Sequence, residues 1–283
     1  MKKIERMDLI DALWERRRDS LKKINEALEK ELAKYSNSYL YEPLSYAVLD
    51  GKRLRPLILL LSVECIGNSN IDPLPAAVAI ELLHTESIIH DDIIDCETFR
   101  RGKKAFHIKY GYEASLLTAD FILAIILDIV SRYKDFRIAK ELSLAALRMC
   151  EGEFYELKIN SNSQLNLNDY INLISQKTAS LFQAAASIGG IIGGGCEEEI
   201  NALSNYGLQL GIAYQISDDL LDWDDKSKIA KALMCNLKNP ITNLKNLIKH
   251  YAKSAKNELK ILKESKSKED LIQLIEFIIE RNH

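Results

Sequence analysis

The chain has 283 residues, of which 47% are hydrophobic and 28% are charged, and its formal net charge is −3. This length and apolar content can bury a large core, and the near-neutral charge argues against a broad basic surface for nucleic acid. Only 12 glycines and 5 prolines are present, which favours helices over an architecture of strands and turns.

Cysteine usage and the N-terminal segment indicate the compartment. The five cysteines are odd in number, scattered, and never in a Cys-x-x-Cys arrangement, which is typical of a reducing compartment and argues against disulfides or zinc. The N-terminus is charged and lacks the apolar core of a signal peptide. The apolar run 121–130 is short and contains Asp128, so we expect no membrane span. We predict a cytoplasmic protein.

Nearly every segment carries apolar residues at helical spacing. In chain order the pattern predicts helices at 4–35, 41–49, 57–66, 73–95, 113–132, 137–159, 169–188, 197–222, 243–262 and 267–279. The glycine-rich stretch 189–195 follows no strand and ends in no Gly-Lys-Ser/Thr, so it predicts close helix packing and then a helix end. No long segment alternates at period two, and no linker divides the chain. We therefore predict an all-α fold with one domain, residues 1–283.

Two acidic pentads share the pattern Asp-Asp-x-x-Asp, at 91–95 and at 218–222, and each follows an apolar helical run. On a helix, Asp91 and Asp95 lie one turn apart on the same face, where like charges repel. A solvated acidic face is the simpler interpretation of one such pentad, but two copies in the same context favour metal binding. Mg²⁺ prefers carboxylate oxygens, water and substrate phosphates. Facing acidic clusters would hold several Mg²⁺ ions and clamp a diphosphate.

Basic residues supply the complementary charge. The turn Gly51-Lys52-Arg53-Leu54-Arg55-Pro56 places cations at the start of a predicted helix, where they oppose the helix dipole unless an anion binds there. The alternative is a solvated basic turn. Together with the pair Arg100-Arg101 and with Lys177, this turn predicts a site for two diphosphates. One would bind Mg²⁺ and lysine, and the other would lie among arginines, whose planar forks pair with phosphate oxygens.

This arrangement suits an ionisation and coupling reaction. Metal neutralisation makes one diphosphate a leaving group, and departure from an allylic carbon leaves a carbocation. The neutral dipoles of Thr178 and Gln215 would stabilise that cation without being alkylated. The double bond of the second substrate would then attack, and a proton would pass to the departed diphosphate.

The ordered motifs resemble those of the trans-isoprenyl diphosphate synthases, or polyprenyl synthases, over nearly the whole chain. The matching segments are 51–56, Glu81-Leu82-Leu83-His84, the first acidic pentad with Arg100-Arg101-Gly102-Lys103, Glu151-Gly152-Glu153, Lys177-Thr178-Ala179-Ser180-Leu181-Phe182, and 214–222. The resemblance implies an all-helical fold around a deep apolar cavity, a homodimer, and condensation of isopentenyl diphosphate with an allylic diphosphate.

The resemblance also implies roles for single residues. The implied Mg²⁺ ligands are Asp91, Asp95 and Asp218, assisted directly or through water by Asp92, Asp219 and Asp222. The implied isopentenyl diphosphate site consists of Lys52, Arg55, His84 and Arg101. The implied allylic diphosphate site consists of Arg100, Lys177, Thr178, Gln215 and a lysine in the loop after the second pentad, Lys231. Lys177, Thr178 and Gln215 are the predicted catalytic residues.

The sequence departs from the family pattern in that loop. The usual Gly-Lys-Pro-x-Gly-x-Asp-Leu is replaced by residues 230–237, which keep Lys231 but lose both glycines and the aspartate. The following Gly-Lys-x-Thr is also missing, and Asn239-Pro240 stands in its place. We expect weaker loop closure or weaker binding of the allylic diphosphate.

Product length is the finer question. In the family, the residues four and five positions before the first aspartate help form the floor of the cavity, and small residues there imply longer products. These positions are Ser87 and Glu86, and a carboxylate against a hydrocarbon tail is costly unless it is paired or turned away. We predict a twenty-carbon geranylgeranyl product, as in archaeal-type enzymes, with longer products and then farnesyl as alternatives.

Two other classes remain open. A terpene cyclase would ionise one allylic diphosphate without coupling it to another, but the basic turn and the complete second pentad argue against it. A non-catalytic subunit would tune a partner synthase. Such subunits tend to lose an aspartate motif, whereas both are complete here, and only the altered loop around Lys231 favours that alternative.

Overall fold

The computed structural model describes residues 11–159, 165–223, 233 and 238–280. Residues 11–16 are helical and meet the next helix at a turn formed by Arg17. The following elements are α1 Arg18–Ala33, α2 Tyr41–Val48, α3 Leu54–Ile66, α4 Leu74–Ile94, β1 Phe99–Arg100, β2 Lys103–Lys104, α5 Phe106–Tyr110, α6 Tyr112–Ser131, α7 Phe136–Lys158, α8 Leu167–Ile174, α9 Ser180–Ile192, α10 Glu197–Leu221, α11 Pro240–Glu258 and α12 Lys266–Glu280. A π-helical turn, Ser175–Ala179, joins α8 to α9, and a 3₁₀ turn, Leu259–Ile261, follows α11.

The predicted all-α class is confirmed. Helix α10 packs between α9 and α11, α3 packs along α9, and α4 packs along α6. Helices α4 and α9 bury side chains on nearly every face, because their sequences are apolar all round and other helices surround them. Helix α4 ends in the first acidic pentad, and α9 begins just after Lys177. Their burial in the core therefore fixes the positions of the pentad and of Lys177.

The glycine stretch 189–195, which begins in the last turns of α9, allows close helix packing, as predicted. A Cβ atom on Gly189 would lie 2.5 Å from the carbonyl oxygen of Leu59 and 2.5 Å from Cβ of Ser62, so the backbones of α9 and α3 approach closely there. Gly194 then adopts a φ of 76°, which lets the chain leave the helix. The stretch is a packing and stop signal in this fold.

The predicted helix 169–188 is interrupted. Helix α8 ends at Ile174, the π-helical turn carries Lys177 and Thr178, and α9 begins at Ser180. On the facing helix α7, a Cβ atom on Gly152 would lie only 2.5 Å from the backbone nitrogen of Lys177. The turn therefore bulges against a position where only glycine leaves room, and π-bulges of this kind often occur at functional sites.

A short antiparallel hairpin carries the arginine pair. Strands β1 and β2 pair Phe99 with Lys104 and Arg100 with Lys103. The two turn residues, Arg101 and Gly102, both have positive φ angles, 51° and 77°. Positive φ at both central positions is typical of tight two-residue hairpin turns. The hairpin directs Arg100 and Arg101 to different surroundings.

Helix α6 confirms the helix predicted at 113–132 to within one residue at each end, and its apolar content extends beyond the run 121–130. It extends over 20 residues and is long and apolar enough, by length and composition, to cross a membrane. One face, with Ile122, Ile125 and Ile129, is buried in the protein core. Several leucines on other faces are exposed. The apolar residues of α6 therefore lie on both a buried face and an exposed face.

Candidate active site

Both acidic pentads lie where a long helix ends. Asp91 and Asp92 occupy the last turn of α4 and Asp95 caps it, while Asp218 and Asp219 occupy the last turn of α10 and Asp222 caps it. Negative charge at a helix C-terminus opposes the macrodipole, so each cluster is unfavourable without a nearby cation. The backbone nitrogens of both capping aspartates donate to the first aspartate of their own pentad, at 2.8 and 3.0 Å.

Lys177 is the cation between these acids. Its Nζ atom lies 2.6 Å from Glu153 and 2.7 Å from Glu156, both on α7, and 3.9 Å from Asp91. Burial alone would lower the pKa of Lys177, but the charges of Glu156 and Asp91 and hydrogen bonds to the glutamates outweigh it and raise the pKa. Lys177 therefore remains a full positive charge facing the first pentad.

The second pentad approaches the same group. Burial raises the pKa of Asp219 to about 6, and the negative charges of Asp218 and Glu156 act in the same direction. Since Glu156 also binds Lys177, the chain of contacts and charges runs from Asp91 through Lys177 and Glu156 to the second pentad. The two pentads, far apart in sequence, thus lie near the same group of charges, in which Lys177 contacts the first pentad and Glu156 acts on the pKa of the second.

The donors fit a hard divalent cation. Burial raises the pKa of Asp91 to about 7; Lys177 opposes this rise, and the neighbouring Glu153 adds to it. A cation placed here would relieve the cost of that buried charge. Within the described ranges, no three His, Cys, Asp or Glu side chains stand close enough to hold one ion together. Any ion would therefore take its other ligands from water and phosphate, as Mg²⁺ commonly does.

The two predicted cation-stabilising residues contact each other. The Thr178 hydroxyl donates to Oε1 of Gln215 at 2.8 Å, and Nε2 of Gln215 donates to Oδ1 of Asp219 at 2.8 Å. The other oxygen of Asp219 accepts a hydrogen bond from the hydroxyl of Tyr170 at 2.5 Å. Asp219, expected to assist metal binding, instead has both oxygens engaged by protein donors.

A cationic cluster forms the other side of the site. The guanidinium of Arg55 lies 4.4 Å from the centre of the Phe182 ring, and its buried Nε atom lacks a hydrogen-bond partner among the described residues. Burial lowers the pKa of Arg55. Burial, followed by the positive charges of Arg55 and Arg101, holds the pKa of His84 well below its ordinary value. The structure therefore brings Arg55, His84 and Arg101 together, in a setting that an anion would stabilise.

The remaining predicted residues are less enclosed or differently engaged. Lys52, Asp95 and Asp222 are exposed. Arg100 forms an ion pair with Asp92, which is buried, so both residues have a protein partner. Lys231 lies outside the described residues.

Sequence reasoning missed several groups that shape the site. The sequence motifs assign no role to Glu153 or Glu156, although their i, i+3 spacing after Gly152 places them on one helix face. The buried pair of Arg53 and Glu81, joined at 2.6 Å, and the hydroxyl of Tyr170 had no signal in sequence spacing. These contacts depend on the packing of separate helices.

Comparison with known proteins shows the family of the chain. The model of the polyprenyl synthetase family matches residues 37–278. The geranylgeranyl diphosphate synthase of Methanosarcina mazei is 36% identical over 205 residues, which cover 70% of this chain and 63% of that protein. The geranylgeranyl pyrophosphate synthase of Geoglobus acetivorans is 30% identical over an alignment that covers 94% of this chain and 98% of that protein.

A solved structure shows the same architecture. The crystal structure of geranylgeranyl pyrophosphate synthetase from Pyrococcus horikoshii superposes with a TM-score of 0.86 at 30% identity, covering 96% of this chain and 99% of that one. The class defined by the fold and the paired acidic motifs is that of the helical isoprenoid synthases. Within it, the chain belongs to the polyprenyl synthetase family, the trans-isoprenyl diphosphate synthases.

Proposed function

We propose that the protein is a Mg²⁺-dependent trans-prenyltransferase that condenses isopentenyl diphosphate with an allylic diphosphate to form geranylgeranyl diphosphate. The observation that carries this proposal is that the π-helical turn links both acidic pentads: Lys177 faces Asp91, and Thr178 is joined through Gln215 to Asp219. A separate cationic cluster contains Arg55, His84 and Arg101. One half of the site suits a diphosphate with metal, and the other half suits a diphosphate without metal. Its relatives named above support the same reaction.

The acidic half is where the allylic diphosphate would bind. Asp91, Asp95 and Asp218 would hold Mg²⁺, which when bound supplies charge neutralisation for the departing diphosphate. Lys177 has a raised pKa and so remains a cation throughout. It would hold the diphosphate oxygens after leaving Glu153 or Glu156. Arg100 and Lys231 would add further positive charge at the same group.

Thr178 and Gln215 would stabilise the allylic cation. Both are neutral, and their hydrogen bond is formed before any substrate enters. Groups that are oriented in advance stabilise developing charge without the cost of rearranging during the reaction. Because neither side chain is a strong nucleophile, the cation survives long enough for the second double bond to attack.

The cationic half is where isopentenyl diphosphate would bind. Arg55 and Arg101 offer fork-shaped donors for its oxygens, and Lys52 lies at the exposed edge of the same turn. His84 is neutral near pH 7 because its pKa is low, so it would donate a hydrogen bond without adding to the crowded positive charge. This binding leaves the homoallylic double bond facing the acidic half.

The proposed length of the product rests on two residues that lie one helical turn before the first pentad. Burial, together with the charge of Asp120, raises the pKa of Glu86 to about 7. The side chain is therefore substantially protonated at neutral pH, which removes the objection to a carboxyl beside a hydrocarbon. With the small Ser87 beside it on α4, we favour a twenty-carbon product over a farnesyl product.

We also propose a homodimer in the cytoplasm. Helix α6 exposes Leu116, Leu123 and Leu127, spaced at i, i+7 and i+11 on one face, and α7 exposes Leu147 and Phe154 at i, i+7. A second copy of this chain would cover such stripes, since large apolar patches favour association. In the described part of the chain, the four cysteines are free thiols, which supports a reducing compartment.

Product analysis tests this function. Purified protein would be incubated with isopentenyl diphosphate, Mg²⁺ and either dimethylallyl diphosphate or farnesyl diphosphate as the allylic starter, and we expect a twenty-carbon prenyl diphosphate from both starters. Asp218→Asn should abolish it, whereas Asp19→Asn, at an exposed site on α1, should not. Products of fifteen carbons or fewer would contradict the proposed length. Release of a cyclic hydrocarbon would indicate a cyclase, and no turnover at all would contradict catalysis by this chain alone.

A further inference from the structure

A continuous chain of hydrogen bonds leads from the protein core to the predicted cation-stabilising pair. It starts at Tyr170 on α8, whose side chain is fully buried, and passes through Asp219 on α10. From there it continues to Gln215, one helical turn earlier, and ends at Thr178 in the π-helical turn. Three hydrogen bonds of 2.5 to 2.8 Å join these four residues. Tyr170 was not identified by any motif.

The chain has a direction that is set by chemistry. An ionised carboxylate only accepts hydrogen bonds, so Gln215 must present its NH₂ group to Asp219. The opposite end of the amide, the carbonyl oxygen Oε1, then points to the Thr178 side of the site. That oxygen is the negative end of the amide dipole, and this is the end that would stabilise an allylic cation.

The hydroxyl of Tyr170 helps Asp219 to hold the Gln215 amide in this orientation. Its hydroxyl occupies the second oxygen of Asp219, so the carboxylate is held at both oxygens and cannot turn towards an ion without losing this partly buried hydrogen bond. Burial and the neighbouring Asp219 keep the pKa of the Tyr170 phenol well above its ordinary value. The hydroxyl therefore remains a donor over the whole range in which the enzyme would work.

We propose that Tyr170 and Asp219 are positioning residues that orient the Gln215 amide towards the reacting allylic carbon, and that neither binds metal or substrate. This proposal rests on the function proposed above. It separates the second pentad into a metal-binding part, led by Asp218, and an orienting part, Asp219. The alternative is that Asp219 leaves Tyr170 and coordinates an ion.

Tyr170→Phe is the first test, because it removes one hydroxyl and keeps the buried ring. We expect kcat to fall about tenfold to a hundredfold, with the KM of each diphosphate within about twofold of the original. The matched control is Tyr206→Phe, since Tyr206 is also fully buried and donates its hydroxyl to the carbonyl of Leu271 at 2.9 Å, away from the site. That control should lower Tm but leave kcat unchanged.

Asp219→Asn is the second test. An asparagine can donate to Oε1 of Gln215, so it permits the reversed amide, and we expect a loss of kcat at least as large as in Tyr170→Phe. The double variant should be no worse than Asp219→Asn alone, because both changes break the same chain. Calorimetric binding of Mg²⁺ with inorganic pyrophosphate should be unchanged in both variants. A tenfold weaker affinity in Asp219→Asn would overturn the proposal and identify Asp219 as a metal ligand.

The outcomes separate this inference from the function itself. If the wild-type protein couples the two diphosphates and Tyr170→Phe has an unchanged kcat, or loses no more than Tyr206→Phe, the positioning role is wrong. If the wild-type protein couples nothing, the proposed function fails and the positioning role fails with it.

Discussion

Arg53 illustrates how one side chain can organise a binding turn. Its φ angle is 53°, in the left-handed region, and its guanidinium donates to Asn25, Glu81 and the carbonyl oxygen of Val48. A Cβ atom on Gly51 would lie 2.5 Å from the Arg53 guanidinium, so the turn closes only because residue 51 is glycine. The buried arginine thereby fixes the backbone that carries Lys52 and Arg55.

Glu81→Gln should disturb this turn selectively. Leaving a buried guanidinium without its charge partner typically costs about 3–5 kcal/mol, so we expect lower stability. Because the turn is loosened, the KM for isopentenyl diphosphate should rise several-fold, while the KM for the allylic diphosphate should stay constant. Steady-state kinetics with each substrate varied in turn would measure both values.

The matched control is Asp270→Asn. Asp270 is a buried acid on α12 that pairs with Arg16 and Arg17 at 2.5 Å, in a different part of the protein. It should lower stability by a similar amount without changing either KM. Equal changes of KM in the two variants would mean that Arg53 has no special positioning role.

Glu86 gives a prediction for pH. Its pKa is about 7 in the folded protein, against an ordinary value of 4.5, so the folded state binds a proton that the unfolded state has already lost. Stability from this group is therefore present below pH 4.5 and is lost as pH rises towards 7. In Glu86→Gln, the fall in unfolding free energy between pH 5 and 8 should be smaller than in the wild type by about 1–3 kcal/mol.

Denaturant unfolding at both pH values would measure this difference. Glu113→Gln, on the exposed first turn of α6, is the control and should retain the wild-type fall. An identical pH dependence in wild type and Glu86→Gln would show that Glu86 is solvated.

Residue types could be predicted from sequence where chemistry restricts them. Metal and phosphate binding permit few side chains, so the aspartates, Arg55, His84, Lys177 and Gln215 could be proposed from their types and motif context. The partners of Arg53 and Tyr170 could not, because Glu81 and Asp219 lie 28 and 49 positions away and meet them only after the helices pack.

At the scale of elements, the π-helical turn between α8 and α9 is the feature that presents Lys177. A π-helical turn contains one residue more than an α-helical turn. The extra residue within Ser175–Ala179 therefore rotates every later side chain about the helix axis, compared with an uninterrupted α-helix. The turn packs against α7 at Gly152, where an added Cβ atom would lie within 3 Å of the backbone of Lys177. Lys177 thus reaches Glu153 and Glu156 from a backbone that is pressed against the same helix.

Gly152→Ala should displace this turn. The added methyl group would meet the backbone nitrogen of Lys177 at 2.5 Å and its Cα at 2.8 Å, and backbone atoms have little freedom to move away. We expect kcat to fall at least about tenfold because Lys177 would be misplaced. Kinetics together with a thermal melt would measure both effects.

Gly193→Ala is the comparison for that variant. A Cβ atom there would lie 2.8 Å from Cβ of Ile66, at the far end of α9, so the variant is also overpacked. It should lower Tm with little loss of kcat in the molecules that remain folded. A Gly152→Ala protein with full activity would contradict the role given to the turn.

Helical period predicted most elements, since apolar faces repeat wherever a helix packs on a core. The break at Ser175 and the hairpin at Phe99–Lys104 were missed for physical reasons. The extra residue shifts the register of α9, but this helix is apolar on nearly every face and so shows no visible break in its pattern. Strands of two residues are too short to alternate visibly. The glycine stretch was interpreted correctly because close packing and helix ends both require glycine.

At the scale of the whole molecule, the exposed leucines of α6 form the surface that we expect a second copy of the chain to cover. Leu123→Arg combined with Leu127→Arg should convert a dimer into a monomer, because charge in an apolar interface is costly to bury. Size-exclusion chromatography with light scattering would measure the mass. Ile261→Arg, at an exposed apolar residue in the 3₁₀ turn, is the control and should leave the mass of two chains.

The same experiment distinguishes the alternatives for this surface. A wild-type protein with the mass of one chain would contradict the homodimer. Sedimentation with phospholipid vesicles that both α6 substitutions abolish would instead indicate membrane contact by the same leucines.

The overall architecture was within reach of the sequence, and the repeated pentad already suggested two facing acidic clusters. Periodicity shows that α4 and α10 are helices but does not show that their C-termini adjoin. The adjacency results from the packing of both helices against α9.

Anomalous diffraction from crystals grown with Mn²⁺ and inorganic pyrophosphate would test the central claim most directly, since Mn²⁺ substitutes for Mg²⁺ at oxygen sites. We predict metal peaks at Asp91 and Asp95 and at Asp218, all contacting one pyrophosphate that Lys177 also binds. Peaks confined to other carboxylates, with Asp91 and Asp218 turned into bulk solvent, would contradict it.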